Sequence, residues 1–241
     1  MHAAPARRPS RTAAILASLV ALAIAACGRT PGTPPPPSTI TVVATTGMVA
    51  DLARAVAGEH ASVHALMGAG VDPHLYKPTR SDLDRIMSAD VVLYNGLLLE
   101  GKMTDALVRA ATSGRRVYAV TERIDESRLL APEEFAGHFD PHVWMDPRIW
   151  SLALDAARDA LAAHAPAHAD AFTSNAEACR AQLHALDEYA HRVLSTVPPE
   201  RRVLVTAHDA FNYFGRRYGY EVVGIQGLST ESEAGVRDIE R

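Results

Sequence analysis

Residues 72–79 read DPHLYKPT and residues 140–147 read DPHVWMDP. Histidine offers a neutral nitrogen to a transition metal at physiological pH. The proline before each histidine stiffens the backbone, so the ring can be presented at little ordering cost. The aspartate two positions earlier can orient the ring or its loop. A third histidine, His208, ends the apolar run VLVTAH. His74, His142 and His208 each fall just after a predicted strand or just before a predicted helix, where open α/β sheets bind ligands. Three imidazoles there could converge on one ion, either to capture it or, with a metal-bound water, to hydrolyse a substrate. No HxH, HExxH or CxxC accompanies them, so spacing alone does not choose. The other histidines carry less. His164, His168, His184 and His191 lie in predicted helices and read as solvated surface, His60 and His64 flank a predicted strand and read as structural or exposed, and His2 belongs to the leader.

The elements that must position these residues alternate. TITVVATT (39–46) reads as a β-branched strand, Met48 to Val56 as a helix stopped by Gly58, SVHALM (62–67) as a strand and Thr79 to Ala89 as a helix. DVVLYNG (90–96), a helix over MTDALVRAATSG and RRVYAVT (115–121) continue the βαβα pattern of a largely parallel sheet. Pro147 is predicted to open a helix running to about His164, which Pro166 breaks. From His168 to Thr196 the positions Phe172, Ala176, Cys179, Leu183, Leu186, Ala190 and Val193 form one apolar stripe. That helix, roughly 40 Å long, has the length of a rigid spine between two lobes. VLVTAH (203–208) then reads as a buried strand, followed by a helix over DAFNYFGRRYG and a strand over YEVVGIQG. Two strands and a helix cannot cover their own apolar faces, so the second lobe is expected to be truncated in this chain. Glu231 and Glu233 read as the first turn of a further helix, where the dipole favours negative charge.

The first residues belong to targeting. Arg7, Arg8 and Arg11 precede the apolar run Ala13 to Ala26, the pattern of a secretory signal peptide (1–26); a membrane span needs about 20 apolar residues. Ile24-Ala25-Ala26-Cys27 resembles a bacterial lipobox, which makes Cys27 the expected lipidation site and the new N-terminus. The Pro-rich 27–38 reads as an extended tether. Cys179 is the only other cysteine, so no intrachain disulfide is expected. With 48% hydrophobic residues the remainder can build an ordinary core. Loss of the three leader arginines takes the formal net charge from −4 to −7. So acidic a chain disfavours nucleic acid and suits a cationic ligand.

Several long stretches carry a family resemblance: VVATTGMVADLARAVAG, GVDPHLYKPTRSDLDRIMSADVVLYNGLLLEGKM, DPHVWMDPR and VLVTAHDAFNYFGRRYGYEVVGIQGLSTESE. From Thr39 to Arg241 the chain resembles the metal-binding solute-binding lipoproteins of bacterial zinc and manganese ABC importers, the cluster A-I or cluster 9 family. The resemblance implies an α/β fold of two lobes with parallel-type sheets joined by one long helix, here a first lobe over 39–166, a connecting helix over 167–197 and the start of a second lobe over 198–241. It implies metal ligation by His74, His142 and His208. A further carboxylate ligand of the family matches no position here, and weakened binding by this chain is the expectation. It implies Zn2+ or Mn2+ as transported ligand, a membrane permease as partner, and an exported monomer held by its lipid at the outer face of the cytoplasmic membrane or in the periplasm, with no catalytic role. The loop TERIDESRLLAPEEFAGHF carries only His138, which is closer to the treponemal type than to zinc-specialised members. A secreted three-histidine zinc hydrolase is the alternative, and an adhesin role fits the tether without a residue signature.

Overall fold

The computed structural model describes residues 39–135, 137–228 and 230. Four strands, β1 (Ile40–Ala44), β2 (Ala61–Ala65), β3 (Val91–Tyr94) and β4 (Val117–Ala119), pair in parallel in the order β2-β1-β3-β4. Their crossovers carry α1 (Gly47–Ala57), α2 (Arg80–Ser88) and α3 (Thr104–Thr112). Val42 and Ala44 of β1 lie in one core with Val49, Leu52 and Val56 of α1, while Val43 packs on the other face with Ile86 and Leu107. The central strands β1 and β3 are covered on both faces and nearly apolar throughout, whereas β2 at the sheet edge alternates, with Ser62 and His64 exposed.

Local chemistry sets the ends of these elements. Thr46 Oγ1 accepts the Val49 amide at 3.3 Å to open α1. Thr79 and Asp82 satisfy each other's amides in a capping box at α2. Gly58 closes α1 at φ +56°, and a Cβ there would stand 2.8 Å from Asn175 Nδ2, so the predicted stop is a position for glycine alone.

Beyond β4 the chain forms α4 (Pro147–Trp150), α5 (Ala153–His164) and the 26-residue α6 (Ala169–Leu194). The single helix expected from Pro147 to His164 is therefore two. Arg180 Nη1 donates to the Ser151 carbonyl at 2.6 Å, and the Asp155 amide turns to Leu152 instead. The acceptor that a continuous helix would use is taken from outside.

Helix α6 joins the two lobes, but its predicted stripe holds only in its first half. Phe172 and Ala176 are buried, whereas Leu186 and Val193 are 50% and 46% exposed. The second lobe begins with β5 (Val203–His208), α7 (Asn212–Tyr218) and β6 (Glu221–Gln226), the two strands pairing in parallel. The expectation of a buried β5 is corrected: Val203 and Val205 are 51% and 64% exposed, because no layer covers that face among the described residues. Glu231 and Glu233, like Cys27 and the leader, lie outside the described residues.

The buried residue in the second half of α6 is an acid. Asp187 accepts from Arg217 of α7 at 2.7 and 2.5 Å, from Arg148 of α4 at 2.8 Å and from the Tyr218 hydroxyl at 3.3 Å. Arg217 foremost, with Arg148, holds its carboxyl far below the usual carboxylate range against the opposing effect of burial. One charge thus ties the spine to both lobes. A depressed folded pKa contributes stability that is present above the unfolded value, about 3.9, and is lost as pH falls through the folded value. Asp187→Asn is expected to cost about 2 kcal/mol at neutral pH, a figure kept modest by the partly exposed arginines. It is also expected to flatten the loss of stability below about pH 4, read by denaturant titration across pH.

Candidate metal centre

The two Asp-Pro-His copies fold as the same turn. The His74 amide donates to Asp72 Oδ1 at 2.9 Å, and the His142 amide donates to Asp140 Oδ1 at 2.9 Å. Each is a local turn closed by an aspartate on the amide two residues on. The first lies in the loop after β2, and the second lies just before a short 3-10 turn at Val143–Met145 that leads into α4. His208 is the last residue of β5.

The structure brings all three predicted histidines together. One nitrogen of each ring lies within 4.8 Å of a nitrogen of each of the others, with His74 and His142 buried and His208 half-buried. Nε2 of His74 and Nε2 of His142 are 3.2 Å apart. Two nitrogens on one tetrahedral zinc, each bound at about 2.0–2.1 Å, stand about 3.3 Å apart. The pair therefore already has the spacing of two ligands on one ion.

Asp140 fixes the ring as well as the loop. Its Oδ1 lies 2.7 Å from His142 Nδ1, which places the proton on Nδ1 and leaves the Nε2 lone pair facing the other two rings. Asp72 holds its loop through the His74 amide. Burial raises the Asp72 pKa, but the Thr230 hydroxyl, the His74 amide and the nearby rings outweigh it and keep the carboxyl below its ordinary value. Burial, aided by His142, pushes the His208 imidazole down, so the ring is biased towards the neutral form that can ligate. The cavity at the site, about 310 Å³, has apolar walls from Met48, Val71, Trp144 and Phe211. Such walls strengthen the electrostatics inside.

Two residues that support the site were missed in the sequence. Asn95, at the end of β3, donates from Nδ2 to the Pro141 carbonyl at 3.1 Å and so anchors the second turn. The wholly buried Glu100 accepts from Thr45 Oγ1 at 2.6 Å, from the Asn95 amide at 2.7 Å and from the Gly96 amide at 3.2 Å. Burial pushes its carboxyl above the usual range, with those bonds opposing. A lone acid in NGLLLEG was the available signal. The surface reading of the helical histidines holds for His191, which is exposed, whereas His164, His168 and His184 are half-buried. His168 stacks on His60 with centroids 4.2 Å apart.

Residues 42–241 match the family described as zinc-uptake complex component A, periplasmic, or ZnuA. The chain belongs to the ZnuA family. It is 46% identical over 199 residues to the manganese-binding lipoprotein MntA of Bacillus subtilis, and equally to the zinc-binding protein TroA of Treponema pallidum. Each match covers 83% of this chain and 64% of the relative, so the chain spans less than two thirds of the length of these two ZnuA-family proteins. The solved structure of the periplasmic zinc-binding protein TroA superposes with a TM-score of 0.80 at 45% identity, over 84% of this chain and 72% of that one. Fe(III)-bound YtgA from Chlamydia trachomatis gives 0.75 at 31% identity, over 84% and 74%.

The support beneath the site is open to a direct test. Glu100→Ala strands two buried amides and a hydroxyl and is expected to lower stability by about 3 kcal/mol. Glu100→Gln, which keeps one acceptor, is expected to lose less. Thermal unfolding of the two variants checks the order.

Proposed function

We propose that this chain captures a divalent transition-metal ion, zinc or manganese, on His74, His142 and His208 in the cleft between its lobes, for delivery to the membrane permease of an ABC importer. The observation that carries the reading is the convergence of three ring nitrogens within 4.8 Å on the frame of a ZnuA-family protein. Three neutral imidazoles are borderline-soft donors that suit zinc, and the Irving–Williams order puts zinc above manganese at such a site. MntA is named for manganese and TroA for zinc, so the donor set rather than the family favours zinc here.

The rest of the chain fits that role. In this reading residues 1–26 direct export, Cys27 carries the lipid, the Pro-rich stretch to residue 38 is a tether, and the lobes work at the outer face of the cytoplasmic membrane as a monomer. The protein holds and releases its ion without turnover. The names of MntA, TroA and YtgA describe binding rather than catalysis and lend the hydrolase alternative no support.

Equilibrium titration with zinc and with manganese tests the proposal. One ion per chain, tighter for zinc, is the expected result. His142→Ala is expected to abolish binding of the ion, and Asp140→Asn to weaken it about 10- to 100-fold by releasing the ring orientation. Protons compete for the same nitrogens, so affinity is expected to fall as pH drops into the range where the His208 ring protonates, which burial and His142 place below that of a free imidazole. Unchanged affinity of His142→Ala, or hydrolytic turnover that this substitution removes, would contradict capture.

A further inference from the structure

The two aspartates of the Asp-Pro-His turns share a second feature. Each places Oδ1 on the amide of its own histidine, at 2.9 Å in both loops. Each turns Oδ2 towards a side chain of the second lobe. Thr230 Oγ1 donates to Asp72 Oδ2 at 2.6 Å, and Asn212 Nδ2 donates to Asp140 Oδ2 at 3.2 Å. The partners are 158 and 72 residues apart in sequence, so both bonds exist only through the seating of one lobe on the other. The second bond has reinforcement. Tyr213, next to Asn212 at the start of α7, donates its hydroxyl to the Asp140 carbonyl at 2.9 Å and accepts the Leu130 amide at 3.0 Å. Leu228, just before Thr230, is buried.

We propose that Thr230 and Asn212 are positioning residues that latch the second lobe onto the two turns, so that closing the cleft and presenting His74 and His142 become one event. This rests on the metal reading above. The mechanism needs an aspartate in both copies. A carboxylate has two acceptor oxygens, one for the loop and one for the other lobe, whereas an asparagine in its place would offer one. The proline that follows has no amide to compete for either oxygen. When the second lobe shifts by more than a hydrogen-bond length, Oδ2 returns to water and the aspartate can rotate away from the histidine amide. The turn then loses its closure and the ring its fixed direction. Release of the ion follows from a small displacement, without wide opening of the lobes.

The test compares Thr230→Val, Thr230→Ser and Asn212→Ala in the intact protein by two readouts. In the metal-free protein, hydrogen exchange is expected to speed up in the 71–75 turn of Thr230→Val and in the 140–145 turn of Asn212→Ala, with β1 and β3 unchanged. In the zinc-loaded protein, both variants are expected to release zinc to excess chelator about ten-fold faster, the usual scale for loss of a group that orients a metal ligand, while Thr230→Ser stays close to wild type. Wild-type release rates in both Thr230→Val and Asn212→Ala overturn the latch even if zinc binds. A wild-type protein that binds no zinc overturns the metal reading instead. The exchange data then decide the latch separately: loosening confined to each turn keeps it, and none removes it.

Discussion

The carboxylate of Asp140 is the constraint that the rest of the structure serves. It is fully buried, and a buried charge is costly unless every lone pair has a donor. Here the His142 amide and ring nitrogen share one oxygen, Asn212 takes the other, and the Tyr213 hydroxyl satisfies the residue's carbonyl. Those donors come from the turn itself and from the second lobe, so the charge is tolerable only when both are in place. The same set of bonds fixes the tautomer of His142 and aims its Nε2 at His74 and His208. Stability of the interior and readiness of the site are therefore one requirement.

The fold meets that requirement from several directions. The parallel sheet of the first lobe ends at Asn95, which grips Pro141, and Glu100 below it holds the β3 turn rigid. Helix α7 is fastened at both ends, by Asn212 and Tyr213 on Asp140 and by Arg217 and Tyr218 on Asp187. Asp187 in turn belongs to α6, so the spine, the second lobe and the 140–142 turn form one braced frame. A lobe pinned in this way favours small shifts over wide hinge opening. In the 70–75 loop Val71 and Leu75 reach solvent while His74 is buried.

Much of this was legible in the residues, and the limits have physical causes. The doubled Asp-Pro-His and the strand-ending His208 pointed to the three rings that the structure gathers. The alternation of apolar runs gave the parallel sheet because both faces of its central strands are covered. Where packing is tertiary, local pattern fails. Leu186 and Val193 keep helical spacing but stay 50% and 46% exposed, and Asp187, which reads as a solvated charge, is buried by arginines 39 residues before and 30 after it. The break at Ser151 is made by Arg180, 29 residues further on. The second role of Asp72 and Asp140, as bridges to Thr230 and Asn212, depends on the seating of two lobes and has no trace in sequence spacing.

X-ray absorption at the zinc edge of the zinc-loaded protein counts imidazoles on the ion without reference to affinity. The account predicts a first shell of nitrogen and oxygen at about 2.0–2.1 Å with the outer-shell scattering of three imidazole rings. It also predicts that one ring is lost in His142→Ala. A shell with no imidazole scattering, or one that His142→Ala leaves unchanged, would contradict it.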